Sequence, residues 1–136
     1  MLTLSQADLQ KCARYDRETG FWYALIDFKR AKIGDRIDAP RDKSSNPYYR
    51  VRTPWRRFFS HRLAWFYETG VWPVFQIDHR NTRRSDNRWS NLREATCLQN
   101  AYNKQTSTRN KSGYKGGHWH SGTRRWRAMI SVDGRD

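Results

Sequence analysis

The residues that could do chemistry cluster between Ile77 and Asn100, in the stretch I-D-H-R-N-T-R-R-S-D-N-R-W-S-N-L-R-E-A-T-C-L-Q-N. Asp78 and His79 are adjacent, and Asn91 and Asn100 follow. One carboxylate, one imidazole and two carboxamides suit metal-assisted cleavage of a phosphodiester. That reaction brings water to an anionic phosphorus and must stabilise charge on the departing oxygen, so it calls for a metal, a base, or both. Mg²⁺ or Mn²⁺ takes oxygen ligands. The Asp78 carboxylate and the Asn100 carbonyl oxygen supply two and leave positions for phosphate and water. One ion per site is expected, and no zinc. His79 is the natural base toward the attacking water. Asn91 is expected to satisfy backbone groups in the loop and to hold the region of the His79 carbonyl. Asn103 lies one turn beyond Asn100 on the same helix face and competes for its place. Each residue alone has a plainer reading: a surface Asp-His pair, a turn asparagine, a helix-surface asparagine. Only the combined spacing points to a site.

Phe75 to His79 reads as a strand ending at the Asp-His pair. Arg80 to Arg88 is a polar loop, and Asn91 to Ala95 is a second short strand. Thr96-Cys97-Leu98-Gln99 is a capping box, which starts a helix at Cys97. Neighbouring side chains on a strand point to opposite faces. Asp78 and His79 can therefore flank one phosphate only at a strand end. The segment needs a core, expected from Phe75, Ile77, Leu92, Ala95 and Leu98. Upstream, Ser5 caps a helix that should run to near Tyr15, with Leu4 and Leu9 spaced as a hydrophobic staple. Phe21 to Phe28 reads as a strand, Ile33 to Ile37 as a short extended piece, and Pro40 to Pro47 as a loop. Tyr48 to Thr53 and Arg56 to Ser60 read as strands joined at Pro54-Trp55. Ser60 is placed to cap a helix over 61–69, which Gly70 ends. No catalytic constellation falls in this region, whose expected role is to supply the core. His61 is read as structural or capping, with phosphate binding as the alternative.

The chain has 136 residues and a formal charge of +14. Residues 51–136 hold 17 Lys/Arg against 6 Asp/Glu, while residues 1–50 hold 10 against 7. Such a balance suits a polyanion. The nucleic-acid contacts are expected from Arg80, Arg83, Arg84 and Arg88 in the loop. Lys104, Arg109, Lys111, Lys115, Trp119, Arg124, Arg125, Trp126 and Arg127 continue them beyond it. Cys12 and Cys97 are the only cysteines and form no Cys-x-x-Cys pair, which argues against a zinc knuckle. His118 and His120 lack the further ligands a zinc site needs. No run approaches transmembrane length, and the N-terminus lacks a signal core. A soluble, cytoplasmic protein is expected.

The pattern Asp78-His79, Asn91-Leu92, Asn100 resembles the HNH nucleases, most nearly the phage and intron-encoded homing endonucleases. His61-Arg62-Leu63-Ala64-Trp65 resembles the helix that leads into their site. The resemblance implies a ββα-metal fold with Asp78 on the ion, His79 as general base, Asn91 as the structural asparagine and Asn100 as second metal ligand. The paired cysteines of zinc-stabilised relatives are missing. Ser112 to Trp119 and Arg124 to Ile130 resemble the start of an Apetala-type DNA-binding domain, which lays a three-stranded sheet in the major groove.

The expected fold class is α+β: a small antiparallel N-terminal sheet with helices over residues 1–72, the HNH motif over 73–105, and a basic linker with a short β arm over 106–136. The expected function is a divalent-metal-dependent endonuclease acting on double-stranded DNA, nicking as a monomer, with a homodimer left open. The alternatives are a non-catalytic DNA-binding protein of the same fold and an RNA-directed nuclease.

Overall fold

The computed structural model describes residues 4–129. The chain divides into two compact units, the first ending at Asn103 and the second beginning at Lys104. Helices and small antiparallel sheets alternate along the chain, an α+β composition.

In the first unit, α1 (Gln6–Cys12) is capped by Ser5, whose hydroxyl accepts from the Asp8 amide at 3.1 Å. The helix stops at Cys12, short of the expected Tyr15. Ala13–Tyr15 instead forms β1 and pairs with β2 (Trp22–Ala24). Pairing with a distant partner overrides the local helical pattern. Strand β2 is also shorter than expected, because the chain bends after Ala24 and closes a tight Phe28–Ala31 turn. The next sheet runs β3 (Asp38–Pro40), β4 (Tyr49–Arg52), β5 (Arg57–Phe59), all antiparallel. Helix α2 (Ser60–Thr69) follows and ends at Gly70, with φ +75°. Ser60 does not cap it. Its hydroxyl accepts the buried Trp22 indole N–H at 3.0 Å, and the cap position is Phe59. A buried indole donor without a partner costs more than an unused cap.

Strand β6 (Gln76–His79) pairs with β7 (Leu92–Ala95), placing Asp78 opposite Arg93 and His79 opposite Leu92. A 3-10 turn over Trp89–Asn91 leads into β7, so Asn91 sits just before the strand. Helix α3 (Cys97–Asn103) begins in the expected capping box: the Gln99 amide donates to Thr96 Oγ1 and the Thr96 amide to Gln99 Oε1.

One core serves α1, both N-terminal sheets, α2 and the β6–β7 pair. It contains Leu9, Trp22, Ile37, Val51, Leu63, Phe66, Ile77 and Leu92. Of the core residues expected around the site, Ala95 is buried outside this cluster and two are not buried at all. Phe75 and Leu98 are 54% and 49% exposed. Phe75 precedes the strand, and no residue of α3 is buried, so that helix is held by its polar face.

In the second unit, β8 (Gly117–His120) and β9 (Arg125–Ala128) form a two-stranded hairpin. The part of the expected β arm beyond Met129 lies outside the described residues. Among the described residues, no helix is long and apolar enough to cross a membrane.

Candidate active site

Asp78 and His79 end β6, and their side chains meet different neighbours, as strand alternation requires. Both are buried. Asp78 Oδ2 accepts from Arg93 Nη2 at 2.9 Å and Nε at 3.2 Å, and from Asn103 Nδ2 at 2.8 Å. Arg93 reaches it because the two residues are cross-strand partners.

His79 Nε2 lies 3.0 Å from Asn87 Oδ1. A carbonyl oxygen only accepts, so Nε2 carries the hydrogen and Nδ1 is left as the basic nitrogen. Burial pushes the imidazole below its ordinary pKa, while the Asn87 bond and the Asp78 charge work the other way. The net result is a neutral ring near pH 7. His61 packs edge-on against it at 5.3 Å between centroids, and Tyr48 lies 6.2 Å away.

Asn87 is itself fully buried and fixed from the N-terminal region. Tyr15 donates its hydroxyl to the Asn87 carbonyl at 2.6 Å. The 16–20 turn closes over the same peptide. A Cβ on Gly20, which holds φ +75°, would overlap the backbone of Asn87 and Arg88. Asn46, from the 40–47 loop, donates to the Thr82 carbonyl and accepts from the Arg84 amide at 3.1 and 2.7 Å.

Asn91 spans the loop. Its Oδ1 accepts from the Asn81 amide at 3.0 Å, and its Nδ2 donates to Asn81 Oδ1 and to the Asp86 carbonyl at 3.0 and 2.8 Å. Its side chain does not hold the His79 carbonyl. That oxygen accepts from Asn103 Nδ2 and from the Thr82 amide, each at 2.9 Å.

The expected meeting of Asp78 and Asn100 is not made in this structure. Asn100 donates to Gln76 Oε1, while Asn103 reaches Asp78. Asn103 is fixed by its nitrogen: the same Nδ2 serves Asp78 Oδ2 and the His79 carbonyl, and the carbonyl admits no flipped amide. Asn103 therefore braces the carboxylate and strand end. Asn100 faces another carboxamide, and both amides can rotate together. Gln76 shares the Asp78 face of β6, two residues back.

The loop cations divide. Arg80, Arg83 and Arg84 are exposed, and the Arg84 guanidinium lies 4.7 Å over the Tyr48 ring. Arg88 is committed to Asp86 through a two-toothed contact at 2.6 and 2.8 Å, which holds the Asp86 carboxyl down to about 2. In the second unit, Lys104, Arg109, Lys111, Lys115, Arg124, Arg125 and Arg127 are exposed. Trp119 and Trp126 are cross-strand partners in edge contact at 5.5 Å, each about half exposed. The register places Arg125 and Arg127 on the hairpin face opposite these rings.

Residues 58–102 match the family model of the HNH endonucleases. The matched HNH segment opens in β5 and closes within α3, so it contains His61, Asp78, His79, Asn87, Asn91 and Asn100. It supports a nuclease that acts on nucleic acid. No curated protein and no solved structure matched the chain. Outside the HNH segment lie Tyr15, Gly20 and Asn46, which hold its loop, and Asn103, which holds Asp78. Sequence reading missed Asn87, Arg93, Tyr15 and Asn46. The strand register could have flagged Arg93. Nothing in the sequence spacing singled out the other three.

Proposed function

We propose that this protein is a divalent-metal-dependent endonuclease of double-stranded DNA, with His79 as general base and Asp78 and Asn100 as the ion's protein ligands. The observation that carries this reading is the Asp78–His79 strand end. There a buried carboxylate and a buried imidazole stand side by side within the HNH segment, the imidazole Nε2 against Asn87 Oδ1. The donor chemistry fits a hard cation such as Mg²⁺ or Mn²⁺: a carboxylate, with carboxamide oxygens of Asn100 and Gln76 on the same side of β6. Among the described residues no three His, Cys, Asp or Glu side chains gather, so the remaining ligands are substrate oxygens and water. The bound ion supplies Lewis-acid stabilisation of the departing 3′ oxygen.

His79 Nδ1 takes the proton as the water oxygen bonds to phosphorus and the bond from phosphorus to the 3′ oxygen breaks. Asn87 holds the ring in the tautomer that leaves Nδ1 free. Asn103 keeps Asp78 and the His79 carbonyl in register. Arg93 neutralises Asp78 and competes with the cation for Oδ2. The β6–β7–α3 unit then serves as the ββα-metal motif. One site cuts one strand, so a monomer nicks. The exposed arginines and paired tryptophans of the β8–β9 hairpin form an Apetala-like DNA-binding arm, as in homing endonucleases of this type.

Supercoiled plasmid incubated with Mg²⁺ or Mn²⁺ tests the proposal. Open-circle product should appear with the ion, vanish with EDTA, and vanish in His79→Ala, which should still bind duplex. An active His79→Ala protein would remove the proposed base. Duplex binding without nicking under any divalent ion would leave a non-catalytic DNA-binding protein.

A further inference from the structure

Two costly features of the N-terminal sheets meet at one place. Strands β4 and β5 pair so that Arg52 stands directly opposite Arg57. Like charges opposite one another weaken a strand pair. Both arginines are exposed, and neither belongs to an ion pair found among the described residues. The second feature is the Phe28–Ala31 turn, closed by reciprocal backbone hydrogen bonds of 3.0 and 2.9 Å. Its tip is Lys29-Arg30. Lys29 holds φ +52°, a conformation that favours glycine or asparagine. A concavity of about 360 Å³ lies between the two features, lined by Lys29, Arg30, Arg52 and Arg57 with no acidic side chain.

The sheet face beside this concavity leads to the proposed base. Arg50 pairs with Phe59 on the same face as the Arg52–Arg57 pair, its guanidinium 4.9 Å from the Phe59 ring centre. Phe59 contacts Tyr48 and His61 at 5.8 and 5.7 Å, and both of those rings neighbour His79.

We propose that this concavity seats the phosphate backbone of the DNA duplex flanking the bond to be cut. Four cations without an acid complement a polyanion, and guanidinium forks match phosphate oxygens. A bound phosphate neutralises the Arg52–Arg57 repulsion, which explains why a strand pair retains it. The same logic covers Lys29, where a cation stands at a glycine-favouring position. The N-terminal sheet then acts as a DNA-contact surface as well as a core. The choice of DNA as occupant rests on the nuclease reading.

The experiment is duplex binding by fluorescence anisotropy in EDTA over a salt series. It compares wild type, the double variant Arg52→Gln/Arg57→Gln, and Lys29→Gly. The double variant should lose about tenfold in affinity near 0.1 M salt, and its slope of log K against log salt should fall by about two. Lys29→Gly should lower the slope by about one. Thermal midpoints should stay level or rise, because a like-charge pair or a left-handed lysine has been removed. Folded variants with wild-type affinity and slope would overturn the seat. If the double variant unfolds, Lys29→Gly decides by the same slope. Wild-type plasmid nicking is scored separately. Its absence overturns the nuclease reading and leaves the seat to the binding measurement.

Discussion

His61 should make this fold acid-sensitive, and replacing it should remove that sensitivity. Its ring is buried among Tyr48, Phe59 and His79, and its Nδ1 has no hydrogen-bond partner. Burial, aided by the neighbouring His79 and Arg62, lowers its pKa to about 3. In the unfolded chain the ring titrates near 6.5. Because the folded value is the lower one, the unfolded chain binds the proton first, and stability falls as pH drops below the unfolded value. The loss begins near pH 6.5 and continues to about pH 3. At pH 5 the linkage amounts to about 2 kcal/mol relative to pH 8. His61→Phe keeps an aromatic ring at the site and deletes both the titration and the unpaired nitrogen. An unsatisfied buried polar atom costs about 1–3 kcal/mol, so the variant should match or exceed wild type at pH 8. At pH 5 it should lead by about 2 kcal/mol more, on the order of 8 °C in thermal midpoint for a unit of this size. Urea unfolding at the two pH values is the assay. The His79 contribution is common to both proteins and cancels in the difference. Equal losses for wild type and His61→Phe between pH 8 and pH 5 would refute the neutral buried ring.

Other perturbations separate roles at the strand end. Asn100→Ala should weaken activation by Mg²⁺ and leave the metal-free thermal midpoint nearly unchanged. Asn103→Ala should lower that midpoint, by a destabilisation of about 1–3 kcal/mol, because Asp78 and the His79 carbonyl each lose a donor. The reverse pattern would exchange ligand and brace. Asn87→Asp places a carboxylate against the His79 Nε2 hydrogen and should raise the ring pKa, moving the acid limb of the nicking profile upward. An unmoved limb would show that Asn87 does not orient the titrating base. Arg93→Gln removes the competitor for Asp78 Oδ2 and should enlarge the rise in melting temperature produced by Mg²⁺. A smaller rise would make Arg93 a support of the ion rather than a competitor. Charge reversal at Arg124 and Arg125 should weaken duplex binding and flatten its salt dependence. Wild-type affinity at low and high salt would remove the hairpin from the DNA contacts.

What the sequence disclosed were the features set by neighbours a few residues apart. The Ser5 cap, the Thr96–Gln99 box, Gly70 at the end of α2 and the order of Asp78, His79 and Asn91 are all of this kind. The misses were set by distant pairing. Ala13–Tyr15 left its helix for a partner at Trp22–Ala24, and Ser60 gave up its cap for the Trp22 indole. Phe75 and Leu98 have core-like side chains but lie where the chain enters a strand and where a helix meets only polar contacts. For Asn100 and Asn103, helical spacing put both on one face, and only the β6 register shows which carbonyl and carboxylate each can reach.

The same misses change what the first seventy-odd residues do. A region that only supplied hydrophobic bulk would touch the loop through apolar side chains. Here Tyr15 bonds the Asn87 carbonyl across 72 positions of sequence, and Asn46 bonds both sides of the loop turn at Thr82 and Arg84. Asn87 in turn lies against His79 Nε2 at 3.0 Å. The N-terminal region thus holds the loop beside His79 through three hydrogen bonds, where the loop has little apolar surface to bury. Asn91 and the Asp86–Arg88 pair stiffen that loop internally, but their side chains make no hydrogen bond to the His79 ring. The loop's shape can therefore be local while the hold on the Asn87 peptide is not. An isolated strand–loop–strand–helix piece would keep Asp78, His79, Asn87 and Asn91 in order and lose the Tyr15 bond that holds the Asn87 peptide beside the imidazole.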